Sequence, residues 1–235
     1  MNNPMDDDDV GLIDGIATTR AIRRIKPDKV SDEALNTVLF AATRAPSGSN
    51  RQPFRFLVLR DGPKATEAKA LLGNSFRSAW SQKQAVERYE SGSGADPSSP
   101  KARMARSMQH FVDHFEQIPV VLLACLVRYR DPTPLEGASI YPACQNLLLA
   151  ARALGLGGVM TEWHMIVERE LRDLLGIPER VAISATIPLG WPEGRHGPVR
   201  RRPLNELVYE DEWDAPTAWA VDPPGTRTTQ GRPRG

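Results

Sequence analysis

The chain has 235 residues, 40% of them hydrophobic, with 30 Lys and Arg against 29 Asp and Glu. That length allows one large domain or two small ones around a sizeable core. The formal charge of +1 gives no global electrostatic reason to expect nucleic acid or a membrane surface as partner.

Residues 1–11 are acidic and polar and are expected to be a flexible end. Asp6 to Asp9 stand where a secretory signal would carry positive charge. The longest apolar run, 118–127, is far shorter than the roughly 20 residues that span a bilayer. Cys125 and Cys144 both sit in apolar runs. They read as small buried hydrophobes of a reducing compartment, not as a disulfide framework. A cytoplasmic protein is the expectation.

A short helix is expected over 12–18. It leads into a basic run in which Arg20, Arg23, Arg24 and Lys26 are four cations in seven positions. Such a run is a solvated face, or an anion site if a partner surface completes it. Ser31 is placed to cap the next helix, with Asp32 and Glu33 in the first turn to favour its positive end. Leu35, Val38, Leu39 and Ala42 follow at i, i+3, i+4 and i+7, which buries one face.

That helix delivers the chain to residues 45–53, APSGSNRQP, and then to the apolar-alternating strand FRFLVL. Two prolines fix φ and remove donors, and Gly48 opens backbone conformations closed to its neighbours. Between the prolines stand two hydroxyls, two amides and a guanidinium. A rigid loop so rich in donors suits a polar anionic small molecule, although Ser, Asn, Gly and Pro also make ordinary turns.

Residues 65–88 read as one or two helices with a poor apolar stripe, followed by a flexible connection at 90–99. A further helix is expected over 102–117, stopped by Pro119. His110 and His114 have the i, i+4 spacing of metal ligands. The zincin pattern needs Glu where Phe111 stands, so they are read as surface residues and no metal site is expected. Residues 120–127 form a continuous apolar run of strand length, expected at the centre of a sheet. Residues 139–154 are apolar nearly all round, so that helix lies centrally or is covered by another subunit.

Residues 155–161, GLGGVMT, approach a dinucleotide fingerprint but put Met160 where G-x-G-x-x-G needs glycine, and they close a helix instead of opening one. They read as a glycine-rich lead into a strand, where a planar ligand can approach backbone. A short helix at 168–175, a strand at 181–187 and a turn at 189–192 follow. From Pro216 onward the chain is rich in Pro, Gly, Thr and Arg, a tail that is disordered or ordered only by a partner.

Five separated segments together resemble the flavin-dependent nitroreductase family, over about residues 14–213. TTRAIRRI (18–25) is similar to its opening R-R-S-x-R-x-F motif, and APSGSNRQPFRF (45–56) to its A-P-S-x-x-N-x-Q-P-W-x-F loop. LGLGGVM (154–160) and IPLGWP (187–192) resemble its flavin-edge segment and the turn after it, and RRRPLNELV (200–208) its closing motif. The loop is the most specific of these. Thr19 and Ala21 depart from the opening motif, and Phe54 replaces its tryptophan.

The resemblance implies an α+β fold, a mixed central sheet flanked by helices, in an intertwined homodimer. The FMN-binding domain would cover 12–213, and residues 214–235 would be a tail free to wrap the partner subunit. It implies FMN at the interface. Arg20, Arg23 and Arg201 would hold the phosphate, with Arg24 and Arg200 as substitutes. Ser47 and Ser49, from the partner chain, would bond phosphate or ribityl oxygens, while Asn50 and Gln52 would hold loop backbone or ribityl. Val159, Met160, Thr161 and Glu162 would lie along the isoalloxazine. No catalytic side chain is needed, because the cofactor carries the chemistry.

The activity implied is NADH- or NADPH-dependent reduction of a small electron acceptor, a nitroaromatic or quinone. Reductive dehalogenation, flavin breakdown and flavin sequestration without turnover are the alternatives. Nucleic-acid binding has no recognisable module to support it.

Overall fold

The computed structural model describes residues 10–229; residues 1–9 of the acidic end and 230–235 of the tail lie outside them. In chain order the regular elements are α1 (Leu12–Thr18), α2 (Asp32–Thr43), β1 (Phe54–Leu59), α3 (Pro63–Glu87), α4 (Pro100–Asp113), β2 (Val120–Val127), α5 (Tyr141–Ala153), β3 (Gly157–Gly158), α6 (Glu168–Leu175) and β4 (Val181–Gly190). Short 3₁₀ turns join several of them.

The four strands form one sheet in the order β1-β2-β4-β3. The resemblance led us to expect a mixed sheet. Every pairing within the sheet is antiparallel, and a parallel bridge, Arg201 with Thr228, lies outside it. The connection between β1 and β2 explains the direction. It contains the two helices α3 and α4, which carry the chain out and back, so that β2 starts where β1 ended and Leu59 pairs with Val121.

β2 is the centre of the molecule. Successive side chains of a strand point to opposite faces. Val120, Leu122, Ala124 and Leu126 join the core under α2 and α5, whereas Val121, Leu123 and Cys125 join the core under α3 and α4. A strand buried on both faces has no polar positions, which is why its sequence does not alternate.

Ser31 caps α2 as expected, its Oγ accepting from Ala34 N at 3.1 Å. Residues 63–87 form one helix with a narrow stripe, since Ala68, Leu72, Phe76 and Trp80 recur every four residues and are each at most 1% exposed. Lys69 lies on the same side, its ammonium donating to Ile118 O at 2.8 Å, so the stripe looks poor in sequence. The helix expected over 102–117 ends at Asp113, and β4 runs on to Gly190 through the turn expected at 189–192. α5 buries Ala143, Cys144, Leu147 and Ala151 in the core. Its other side, with Leu149, Ala150 and Ala153, lines an apolar groove of about 490 Å³ shared with Leu12 and Phe40.

Both thiols are free and buried. Burial pushes the Cys125 thiol up to about 11 and the Cys144 thiol up to about 12. The tail between residues 210 and 229 is irregular, with the bridge from Tyr209 to Pro216 and that from Arg201 to Thr228 as its local ties.

Gly157 and Gly190 set the distance between the sheet and the segment after α1. A Cβ on Gly157 would stand 2.6 Å from Ile22 Cγ1, and one on Gly190 2.7 Å from Ile25 Cγ2. Gly157→Ala should therefore destabilise the fold by about 1–3 kcal/mol through overpacking. Gly194→Ala, with no atom within 4 Å of the new methyl, should leave the denaturation midpoint unchanged. Equal midpoints for the two variants would show that the contact is not tight.

Candidate functional site

The basic segment is held along the β3 edge of the sheet by backbone bonds. Ile22 N donates to Gly158 O at 2.9 Å, Lys26 N to Trp191 O at 2.8 Å, and Glu193 N to Arg24 O at 3.0 Å. The glycine-rich stretch was expected to admit a planar ligand. At Gly157 and Gly158 the space is taken by the chain itself, by Ile22 and by Pro188 O. The ligand-facing part of that stretch begins at Val159.

The arginines of this segment have different fates. Arg24 is tied to Glu193, Nε to Oε2 at 2.8 Å, and that pair is joined by His110, whose Nε2 lies 3.6 Å from Glu193 Oε1. Stacked on His114 and half-buried, His110 is less of a surface residue than its sequence suggests. Arg20 is exposed and donates to Arg195 O at 3.0 Å. Arg200 and Arg201 follow directly on Val199, whose N donates to Ala17 O at 3.1 Å, so they stand on the same side of the molecule as Arg20. Arg23 is half-buried. Among the described residues no carboxylate is within ion-pair reach of it, and burial holds its guanidinium below the ordinary value.

Arg23 opens onto a cavity of about 250 Å³ with Val159, Met160 and Thr161. Four of the residues singled out in the sequence thus meet in one place. The opposite wall consists of Trp80, Lys83, Met104, Met108 and Phe111 from α3 and α4, with Trp163 beside them. Sequence reading assigned none of these a role individually. Met104, Met108 and Phe111 carry a helical stripe indistinguishable from a core stripe.

The 45–53 loop is built by its own side chains. Ser47 Oγ accepts from Gln52 N at 2.9 Å, Gln52 Nε2 donates to Asn50 Oδ1 at 3.2 Å, and Gly48 N donates to Ser139 Oγ at 3.3 Å. The conformations that favour glycine do not fall on Gly48. They fall on Ser49, Asn50 and Gln52, with φ of +52°, +50° and +48°. A non-glycine residue there costs about 1–3 kcal/mol. Such strain persists because these hydrogen bonds and the two flanking prolines hold the loop, which borders a cavity of about 310 Å³ that reaches the bidentate Arg128–Glu136 pair.

Within one chain the loop and the basic segment lie at diagonal corners of the sheet. The loop precedes Phe54 on the β1 edge, beside Leu126, whereas Ile22 follows Gly158 on the β3 edge, in line with Leu189 and Val120. Three strand spacings and six residues of rise, roughly 25 Å, separate Phe54 from Gly158, and Ile22 lies beyond Gly158. Glu162 lies between. It accepts from the Tyr141 hydroxyl at 3.3 Å, and the same hydroxyl is 3.4 Å from Ser184 O. Ser184 is the residue β4 bulges out between its pairings at Ile183 and Ala185.

Residues 16–191 match the nitroreductase family. The chain belongs to the nitroreductase family. Among curated members it is 31% identical to an NADH dehydrogenase of Thermus thermophilus, over 80% of this chain and 90% of that one. It is 26% identical to the iodotyrosine deiodinase of Thermotoga neapolitana, over 84% and 95%. Among solved structures, a family protein from Desulfovibrio desulfuricans in complex with FMN superposes with a TM-score of 0.62 at 29% identity, covering 91% of this chain and 99% of that one.

The family match takes in Arg20, Arg23, Arg24, the loop and residues 159–162, and stops before Arg200 and Arg201. No helix among the described residues is long and apolar enough to cross a membrane, and none of their His, Cys, Asp and Glu side chains form a group that could hold a metal ion.

Three histidines beside these segments share one electrostatic tendency. His164, 1% exposed, has Nε2 2.9 Å from Ile183 O, and His196 has Nε2 2.9 Å from Leu156 O. Burial lowers both, and His110, from the ordinary value of 6.5; at His164 the bond to Ile183 O, then Glu168 and Glu162, only partly oppose the shift. A histidine with a lowered folded-state value binds fewer protons folded than unfolded, so stability falls as pH drops below that ordinary value. The thermal midpoint should decline from about pH 7 to about pH 5, and His164→Gln should flatten the decline. An unchanged slope in that variant would remove His164 as a cause.

Proposed function

We propose that this protein is an FMN-dependent NAD(P)H oxidoreductase whose cofactor is held between two copies of the chain. The observation that carries the reading is Arg23: a half-buried guanidinium without an acid partner among the described residues, opening onto the cavity that Val159, Met160 and Thr161 line. A desolvated cation with no counter-charge is a site for an anionic ligand.

FMN fits these residues by charge and shape. Its phosphate suits the exposed guanidinium groups of Arg20, Arg200 and Arg201. Arg24 is less available, because Glu193 already neutralises it. Residues 159–162 would line the isoalloxazine, with Arg23 at its polar edge. Ser47 and Ser49 stand too far from the arginines of their own chain to share that phosphate, so in this reading they come from a second copy. Asn50 and Gln52 hold the loop in shape instead of touching the ligand. The apolar groove beside α5 and exposed side chains such as Leu12, Phe40, Trp213 and Trp219 supply surface for a homodimer.

Bound FMN would supply hydride transfer from NADH or NADPH to an electron-poor acceptor such as a nitroaromatic or quinone. The chain's part is to bind the cofactor, to keep water from its face with Trp80, Met104 and Phe111, and to leave room for one stacked partner at a time. The deiodinase relative favours a second acceptor class, halogenated phenols, and turnover of iodotyrosine against a nitroaromatic separates the two.

The first test is the absorbance spectrum of the purified protein before and after each nicotinamide. A yellow protein bleached by NADH or NADPH is expected; bound flavin that neither bleaches would mark a flavin-sequestering protein. Arg20→Ala and Arg201→Ala each remove a charged hydrogen bond of about 1.5–3 kcal/mol and should weaken FMN binding about tenfold or more. Wild-type affinity in both would mean that the phosphate lies elsewhere.

Sedimentation at low micromolar concentration should give a dimer. A monomer of 26.0 kDa that retains FMN would rule out the shared site. With one cavity for donor and acceptor, steady-state plots against NAD(P)H at several acceptor concentrations should be parallel. Intersecting lines would require a second site.

A further inference from the structure

The cavity beside residues 159–161 carries two cations and no carboxylate among its lining residues. Its remaining walls are largely apolar, with the indoles of Trp80 and Trp163 and the thioethers of Met104 and Met108. Walls of this kind accept a planar aromatic ring. Cations at the rim of an apolar cavity add a second requirement, since a neutral occupant would cover them without supplying a counter-charge.

The two cations differ in position and in partner. Arg23 comes from the segment beside β3 and faces residues 159–161, the side assigned above to the cofactor. Lys83 comes from α3, on the opposite wall. Its partner is Glu87, one helical turn on, at 2.5 Å. Both side chains of that pair are about two-fifths exposed, 41% and 45%. A solvated i,i+4 pair holds its lysine weakly, so Lys83 is free to turn to an anion arriving in the cavity. Lys101, the other lysine beside Glu87, is occupied elsewhere: it donates to Glu87 O and Arg88 O at 2.9 and 3.0 Å.

We propose that the acceptor is an aromatic compound carrying an anionic group, a carboxylate in the simplest case, and that Lys83 selects it by pairing with that group. The inference rests on the reading that FMN lies along residues 159–162. For 4-nitrobenzoate as probe, the nitro group would take two electrons and two protons to give 4-nitrosobenzoate and water. The hydride of NAD(P)H supplies both electrons and one proton, and solvent supplies the other. The carboxylate takes no part in the chemistry and serves only to bind.

The experiment compares 4-nitrobenzoate with its neutral methyl ester on the FMN-loaded protein. The wild type should prefer the acid at least fivefold in kcat/KM. Lys83→Gln should reduce that ratio at least fivefold through KM, Lys83→Arg should retain it, and Lys83→Glu should invert it. Quenching of tryptophan fluorescence without NAD(P)H gives binding of the same two probes apart from turnover, and should show the same order. Equal preference in the wild type overturns the inference, as does a Lys83→Gln variant in which both probes weaken alike. In either case a flavin that binds and bleaches leaves the oxidoreductase reading intact. A chain that binds no flavin overturns both.

Discussion

Ile22 and Ile25 press against the sheet at the places where Gly157 and Gly190 have no side chain, and backbone bonds on either side fix the contact. This close approach decides where the arginines stand. Ile22 and Ile25, three positions apart, are both turned inward, so the segment departs from strict alternation; Arg23 between them lines the cavity, while Arg20 and Arg24 remain exposed beside Arg195 and Glu193. A bulkier residue at either glycine would lift the segment from the sheet and displace every charge on it. The basic run thus takes its meaning from glycines more than 130 positions later in sequence.

The loop before β1 is the other place where local preference yields to a larger arrangement. Three residues in the left-handed region within four positions are an unfavourable backbone. They are maintained by Pro46 and Pro53, by the Ser47, Asn50 and Gln52 side chains, and by Ser139 across the cavity. Such a loop holds one shape before any ligand arrives, which reduces the ordering cost of binding.

Much of this was legible in the sequence, and the limits have physical causes. α2 was readable from its cap and stripe, β2 from its unbroken apolar run, and α6 from its closing Gly176. Family motifs pointed to Arg23, the loop and residues 159–161. α3 was obscured because Lys69 and Ser75 are buried on it by partners distant in sequence, Ile118 O and Trp163 O. The direction of the strands was not readable at all, since pairing depends on how intervening helices return the chain. Arg24 resembled its neighbours until Glu193 was seen to neutralise it. The 65–115 stretch was the expected source of pocket-lining residues, but the individual ones could not be picked out, because Trp80, Met108 and Phe111 serve core and cavity together, and one helical stripe encodes both.

The burial of Cys125 and Cys144 has a practical consequence. Thiolate is the form that reacts with maleimides and with oxidants, and at neutral pH both sulfurs are protonated and shielded. A single cysteine introduced on the solvent side of α4 would therefore be the selective target for a spin label or fluorophore in the folded protein. The distance between two such labels, one per copy, would report how the α4 helices are arranged in an assembly, with neither native cysteine having to be removed.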